Sequence, residues 1–153
     1  MTVRQNDASK GNLALPYPSM AGQVVAHRFT YTVPTTIVEG DIIDMAPIPI
    51  GCRVVDMILD SADLDSGTPA ILLDVGVMSG SFGEEGARTC GAEFFSGSTV
   101  AQGGTVARPT LRTAFTVAAS ESVERSIGIK IATDAATAVE GEIGLTVFYA
   151  AAG

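Results

Sequence analysis

The feature that most constrains this chain is a period of two. In VVAHRFTYTV, Val25, His27, Phe29, Tyr31 and Val33 share one face, while Ala26, Arg28, Thr30 and Thr32 share the other. A helix brings every third or fourth residue to one side, so this alternation predicts a half-buried strand. The run RVVDMIL over 53–59 reads as a second strand. Alternation continues at Ile71, Leu73, Val75 and Val77, at Ile127, Ile129 and Ile131, and at Ile143, Leu145, Val147 and Tyr149. Leu111, Thr113, Phe115 and Val117 make a further candidate face, and a shorter strand is expected through Ile42–Met45. Turn residues separate these runs: Thr35-Thr36, Pro47-Ile48-Pro49, Asp65-Ser66-Gly67, Gly103-Gly104 and Val139-Glu140-Gly141. Short strands punctuated in this way predict an all-β jelly roll or antiparallel β-sandwich. The stretch 79–104 lacks strand character. It opens as a Gly-rich loop, and one short helix is expected within Ala92–Gln102.

At 153 residues the chain is sized for one domain, and its 46% hydrophobic content supplies a core. No apolar run reaches the roughly 18–20 residues of a membrane span. Met1 to Lys10 is polar with no apolar segment after it, so a soluble protein made in the cytosol is expected. Lys plus Arg number 9 against 17 Asp plus Glu, a net charge of −8. Phosphate backbones are gripped by Lys and Arg, so this balance argues against nucleic acid and anionic membranes. Cys52 and Cys90 form no CxxC pair, and His27 alone cannot complete a two-cysteine metal site. Two reduced, partly buried thiols are expected, with one disulfide between them as the alternative.

Residues 1–22 differ from the rest. They are turn-rich, and Pro16 and Pro18 bracket Tyr17 in an extended path. The expected organisation is an extended N-terminal arm, 1–22, followed by a sandwich domain, 23–153. Leu13, Leu15, Pro16, Tyr17, Pro18 and Met20 give the arm apolar anchors for a neighbour. A frayed terminus is the competing reading.

Catalytic signals are missing. His27 sits mid-strand beside Phe29 and Tyr31, where packing explains it better than base catalysis. There is no GxSxG elbow, and the Gly-rich segments have no phosphate-loop spacing. No catalytic residue and no cofactor is therefore assigned. Asp60, Asp63 and Asp65 form a weak calcium candidate, because D-L-D-S-G lacks a third acidic ligand and a closing Glu. A tight turn explains the same residues. Phe82, Phe94 and Phe95 are loop candidates for an interface. For the Phe94–Phe95 pair, the expectation is one ring in the core and one facing out, with a double core plug as the alternative. Arg108 and Arg112 form the local basic pair outside the arm, and such a charge contrast can guide docking.

Three segments carry a family resemblance: VVDMILDSADLDSGTPAILLDVGVMSG (54–80), ARTCGAEFFSGSTVAQGG (87–104) and IGLTVFYA (143–150). They resemble small virion structural proteins of tailed bacteriophages, most of all the jelly-roll capsid cement or decoration proteins. The resemblance runs from about Val24 to the end and leaves the arm uncovered. It implies a non-enzymatic protein, assembled in the host cytoplasm, that binds the outside of the capsid. Its partner would be the phage major capsid protein, whose neighbouring subunits it would bridge as a dimer or trimer. Other expectations kept open are a tail or head-fibre component and a small-ligand or carbohydrate-binding jelly roll.

Overall fold

A computed structural model describes residues 1–15, 17–18 and 22–151. Pro16 and Met20 lie outside the described residues. Nine strands run in chain order: β1 Val3–Gln5, β2 Val24–Val33, β3 Ile42–Ile48, β4 Cys52–Ser61, β5 Leu72–Met78, β6 Phe95–Ser98, β7 Val106–Ala107, β8 Arg125–Thr133 and β9 Gly141–Ala151. They build two sheets, ordered β1-β3-β8-β5-β6 and β2-β9-β4-β7. With β1 set aside, the eight remaining strands are wired as a double-sheet jelly roll. All pairings are antiparallel except the short parallel contact of β1 with β3.

The alternation read from the sequence is what the two inner faces use. Phe29, Met57, Leu59, Leu145, Val147 and Tyr149 come from one sheet and meet Ile43, Leu73, Val75, Ile127, Ile129 and Ile131 from the other, all buried. Tyr149 keeps its hydroxyl satisfied inside this core by donating to the Pro47 carbonyl at 2.6 Å.

β3 departs from the alternation, since all seven of its residues are buried. Its outer face is roofed by the loop that follows β5. Arg88 in that loop donates to Asp44 on β3 at 2.7 Å, and the Gly83 amide donates to the same carboxylate oxygen at 2.9 Å. Ser126 on β8 donates to the other oxygen. Further along the roof, Gly91 lies against Gly76, and Met78 and Cys90 lie against Gly128. A Cβ at Gly76 or Gly128 would collide with these groups, so glycine at both places lets the loop lie flat on the sheet.

Two local expectations are corrected. Leu111–Val117 is not a strand: residues Arg112–Phe115 form a 3₁₀ turn that buries only Ala114. Pro109 removes a ladder donor just before it, and local bonds from Ala114 to Leu111 and from Thr116 to Thr113 satisfy the backbone instead. In 92–102, the helix shrinks to a 3₁₀ turn, Val100–Gln102, because Phe95–Ser98 pairs with β5. The turn at Asp65-Ser66-Gly67 forms as expected, with Gly67 at φ 83°.

Candidate interaction surface

The N-terminal segment docks in two stages. Residues 1–12 belong to the body of this chain. The Thr2 amide and the Arg4 guanidinium both reach the Asp41 carboxylate, at 2.9 and 3.3 Å. Asn6 is buried, donates to the Met45 carbonyl at 2.6 Å and accepts from the Ser9 amide at 2.8 Å. Ala8 packs in the core.

Beyond that point the segment changes character. Leu13, Leu15 and Tyr17 are exposed, Tyr17 by 61%, while Pro18 is buried. The Tyr17 hydroxyl donates to the Ile50 carbonyl at 3.1 Å, which places its ring beside the β3–β4 turn. Ile50 is itself exposed, and the Gly51 amide ties this turn to Ser120, three residues from exposed Val123. Val24, also exposed, opens β2 opposite Ala150, which pairs on its other side with Arg53, close to the same turn. Thus Tyr17, Val24, Ile50 and Val123, four of the exposed large apolar residues among the described residues, lie at one end of the sandwich, and exposed Leu13 and Leu15 precede Tyr17 in the chain. An apolar cluster of this kind marks a surface that another protein covers.

A second region lies beside the far end of β4, where β7 pairs with Leu59 and Asp60. Between β6 and β7 runs a cleft of about 370 Å³, walled by Ser96, Ser98, Val106, Arg108 and Leu111. Val106 and Leu111 are exposed there. Arg108 pairs with Asp56 at 2.9 Å, whereas Arg112 makes no ion pair among the described residues.

The loop candidates fare differently. Phe94 and Phe95 are both core residues, so the expectation of one outward ring is corrected: this is the double plug. Pairing of β6 with β5 turns Phe95 inward, and the bond from the Phe94 amide to the Val75 carbonyl draws its neighbour in as well. Phe82 is half-buried and rests against the core.

The calcium candidate is also corrected, because its three carboxylates do not converge. Asp60 binds Arg28 at 2.5 Å, and Asp63 accepts from the Asp65 amide. Asp65 is buried and accepts four backbone N–H groups, from Ala70, Ile71, Ala136 and Thr137, at 2.7–3.0 Å. Burial alone would push its pKa up, but these four donors outweigh it and hold the carboxyl at about 2. This aspartate is a clasp between the β4–β5 and β8–β9 connections, with its lone pairs already used. Among the described residues no group of acids, histidines or cysteines is placed to hold a metal ion.

His27 is half-buried and sits edge-on to Phe29 with ring centres 4.7 Å apart, a packing contact. Both cysteines are free thiols, Cys52 buried and Cys90 partly so. Burial pushes the Cys90 thiol up to about 12.

Among the described residues no helix is long and apolar enough to cross a membrane. No protein-family model matches the chain, and no curated protein matches it. Solved structures do. A chain in the capsid of Ralstonia phage GP4 is 42% identical over 97% of both chains, with a TM-score of 0.93. A chain in the capsid asymmetric unit of cyanophage Pam1 is 31% identical over 90% of this chain and 91% of its own, with a TM-score of 0.69.

Proposed function

Because this chain belongs to the family of bacteriophage capsid chains it matches, we propose that it is a virion structural protein of the cement, or decoration, type. In this reading it sits on the capsid exterior, binds the major capsid protein and holds neighbouring subunits together by contact alone. The observation that carries the reading is the apolar end surface, where exposed Tyr17 and Ile50 lie together and exposed Val24 and Val123 flank the same turn. Exposed apolar residues brought together in this way mark a surface that a partner covers. The cleft between β6 and β7, with exposed Val106 and Leu111 on its walls, gives a second contact region at the end of β4 away from the β3–β4 turn. Two separated contact regions are what a bridge needs, and many weakly bound copies then resist removal collectively. A surface of net charge −8 has little affinity for the DNA within.

The arm takes its place in this proposal. Leu13, Leu15 and Tyr17 are the side chains that reach a neighbour, while residues 1–12 anchor them to the body. Deleting 1–20 outright would therefore strip buried Asn6 and Ala8 from the fold along with the anchors. Point substitutions are the sharper test.

The experiment is add-back to particles stripped of the protein, read by co-sedimentation through a density gradient. Wild-type chain is expected to migrate with the particles in stoichiometric amounts. A Tyr17→Asp/Ile50→Asp variant, altered only at exposed side chains, is expected to bind at least about tenfold more weakly, the loss of one or two interface anchors. Wild-type chain remaining at its free mass would remove the cement reading and favour a ligand-binding module. Incorporation at a few copies per particle would instead indicate a tail or head-fibre part.

A further inference from the structure

We propose that the open edge of β2 is a strand-pairing surface, and that its occupant is the β2 of a second copy of this chain. The inference names a surface for self-association and does not depend on the capsid reading. β9 takes one edge of β2 through all ten residues, from Val24 opposite Ala150 to Val33 opposite Gly141, without a bulge. On the other edge no strand follows, and among the described residues no loop backbone bonds to Val24–Val33. A ten-residue edge is about 33 Å of backbone whose outward N–H and C=O groups are ready to pair.

Sheets that must remain single guard such edges with proline, bulges, inward charges or shortness. The other three end strands are short: β1 has three residues, β6 four and β7 two. Of the devices that guard an edge β2 has only a charged side chain: VVAHRFTYTV contains no proline and no acid, and its single charge, Arg28, faces outward and is engaged by Asp60 and Glu142 at 2.5 and 3.1 Å.

Two further observations agree. Val25, His27 and Tyr31 point toward the sandwich interior yet stay half-exposed, whereas Phe29 and Val33 on the same face are buried. A strand laid alongside would cover them. Charge selects where two copies can meet, because each carries −8 and an acid-free strand lets them approach without opposed carboxylates. Two identical strands paired antiparallel are related by a two-fold axis, so each supplies the donors and acceptors that the other lacks. Apart from Arg28, the outward side chains Val24, Ala26, Thr30 and Thr32 are small or β-branched and suit a flat cross-strand ladder.

The test uses purified full-length chain in analytical ultracentrifugation at micromolar concentration, with no capsid present. Wild type is expected to sediment as a species of twice 15.7 kDa. Two triple variants change exposed outer-face positions: Ala26→Lys/Thr30→Lys/Thr32→Lys, and the same three sites to Glu. Each variant alone is expected to dimerise at least about tenfold more weakly, since like charges then oppose each other across the pair. An equimolar mixture of the two is expected to restore the dimer. Thermal melts of the variants serve as the folding control. A monomeric wild type overturns the proposal, as does a dimer indifferent to these substitutions. A monomeric wild type whose Lys variant loses particle binding would assign the edge to a strand of another protein.

Discussion

The roof over β3 hangs on one buried ion pair, and removing its cation should be costly. Asp44 is fully buried and the Arg88 side chain is 2% exposed, so neither charge has water to fall back on. In Arg88→Met, Asp44 keeps only the Gly83 amide and the Ser126 hydroxyl for a full negative charge. Breaking a buried pair from one side costs roughly 3–5 kcal/mol, a large part of the 5–15 kcal/mol that holds a typical domain together. For a chain of this size that corresponds to a fall of about 6–20 °C in Tm. Arg88 also holds the Ser79 and Glu84 carbonyls, at 2.7 and 3.2 Å, so the loop should loosen locally as well. Urea unfolding of Arg88→Met, Asp44→Asn and the double variant separates the contributions. The double variant no longer carries an uncompensated charge, so it should be more stable than Arg88→Met alone, with a coupling of about 1–3 kcal/mol. Hydrogen exchange should show faster exchange at the Gly83 and Gly91 amides in Arg88→Met. A loss below about 1 kcal/mol for Arg88→Met, or strictly additive variants, would refute this account of the roof.

Other expectations follow from single groups. Asp65 has a folded pKa of about 2, below its ordinary value, so its contribution is complete above the unfolded pKa near ~3.9 and is lost as pH falls toward 2. The urea midpoint of wild type should therefore drop between these values more steeply than that of Asp65→Asn; parallel curves would contradict the clasp. Cys90, with its thiol pushed up to about 12, and Cys52, raised by burial, should react with iodoacetamide at mildly alkaline pH far more slowly in the folded chain than in urea. Rapid labelling of the native protein would show that these thiols are not held as the structure has them.

The long strands were legible because their information is local. Burial of one sheet face writes itself into every second residue, and β2, β5, β8 and β9 carry that signature, while β4, whose register shifts between Val54 and Asp56, was legible from its Val and Ile content. The two shortest strands, β1 and β7, have three and two residues, too few to show a period. Leu111–Val117 showed the period and is not a strand, since alternation records which side chains are apolar and cannot supply a neighbouring edge. The apolar arm anchors were legible as residues, but their companions Ile50, Val24 and Val123 were not. Each lies in a different segment, and only the chain's return to one end of the sandwich collects them.

The class of fold and the acidic net charge were legible in residue type, spacing and simple sums. The remainder came only with the folded chain. Asp44 and Arg88 are 44 residues apart, and nothing near either one announces the other. Asp65 looked like a loop acid open to a cation until four amides from two separate connections closed on it. Phe94 and Phe95 both turned inward because β6 found β5. In each case a side chain's role was set by what long-range strand pairing brought against it, and that pairing is a property of the whole chain rather than of any segment.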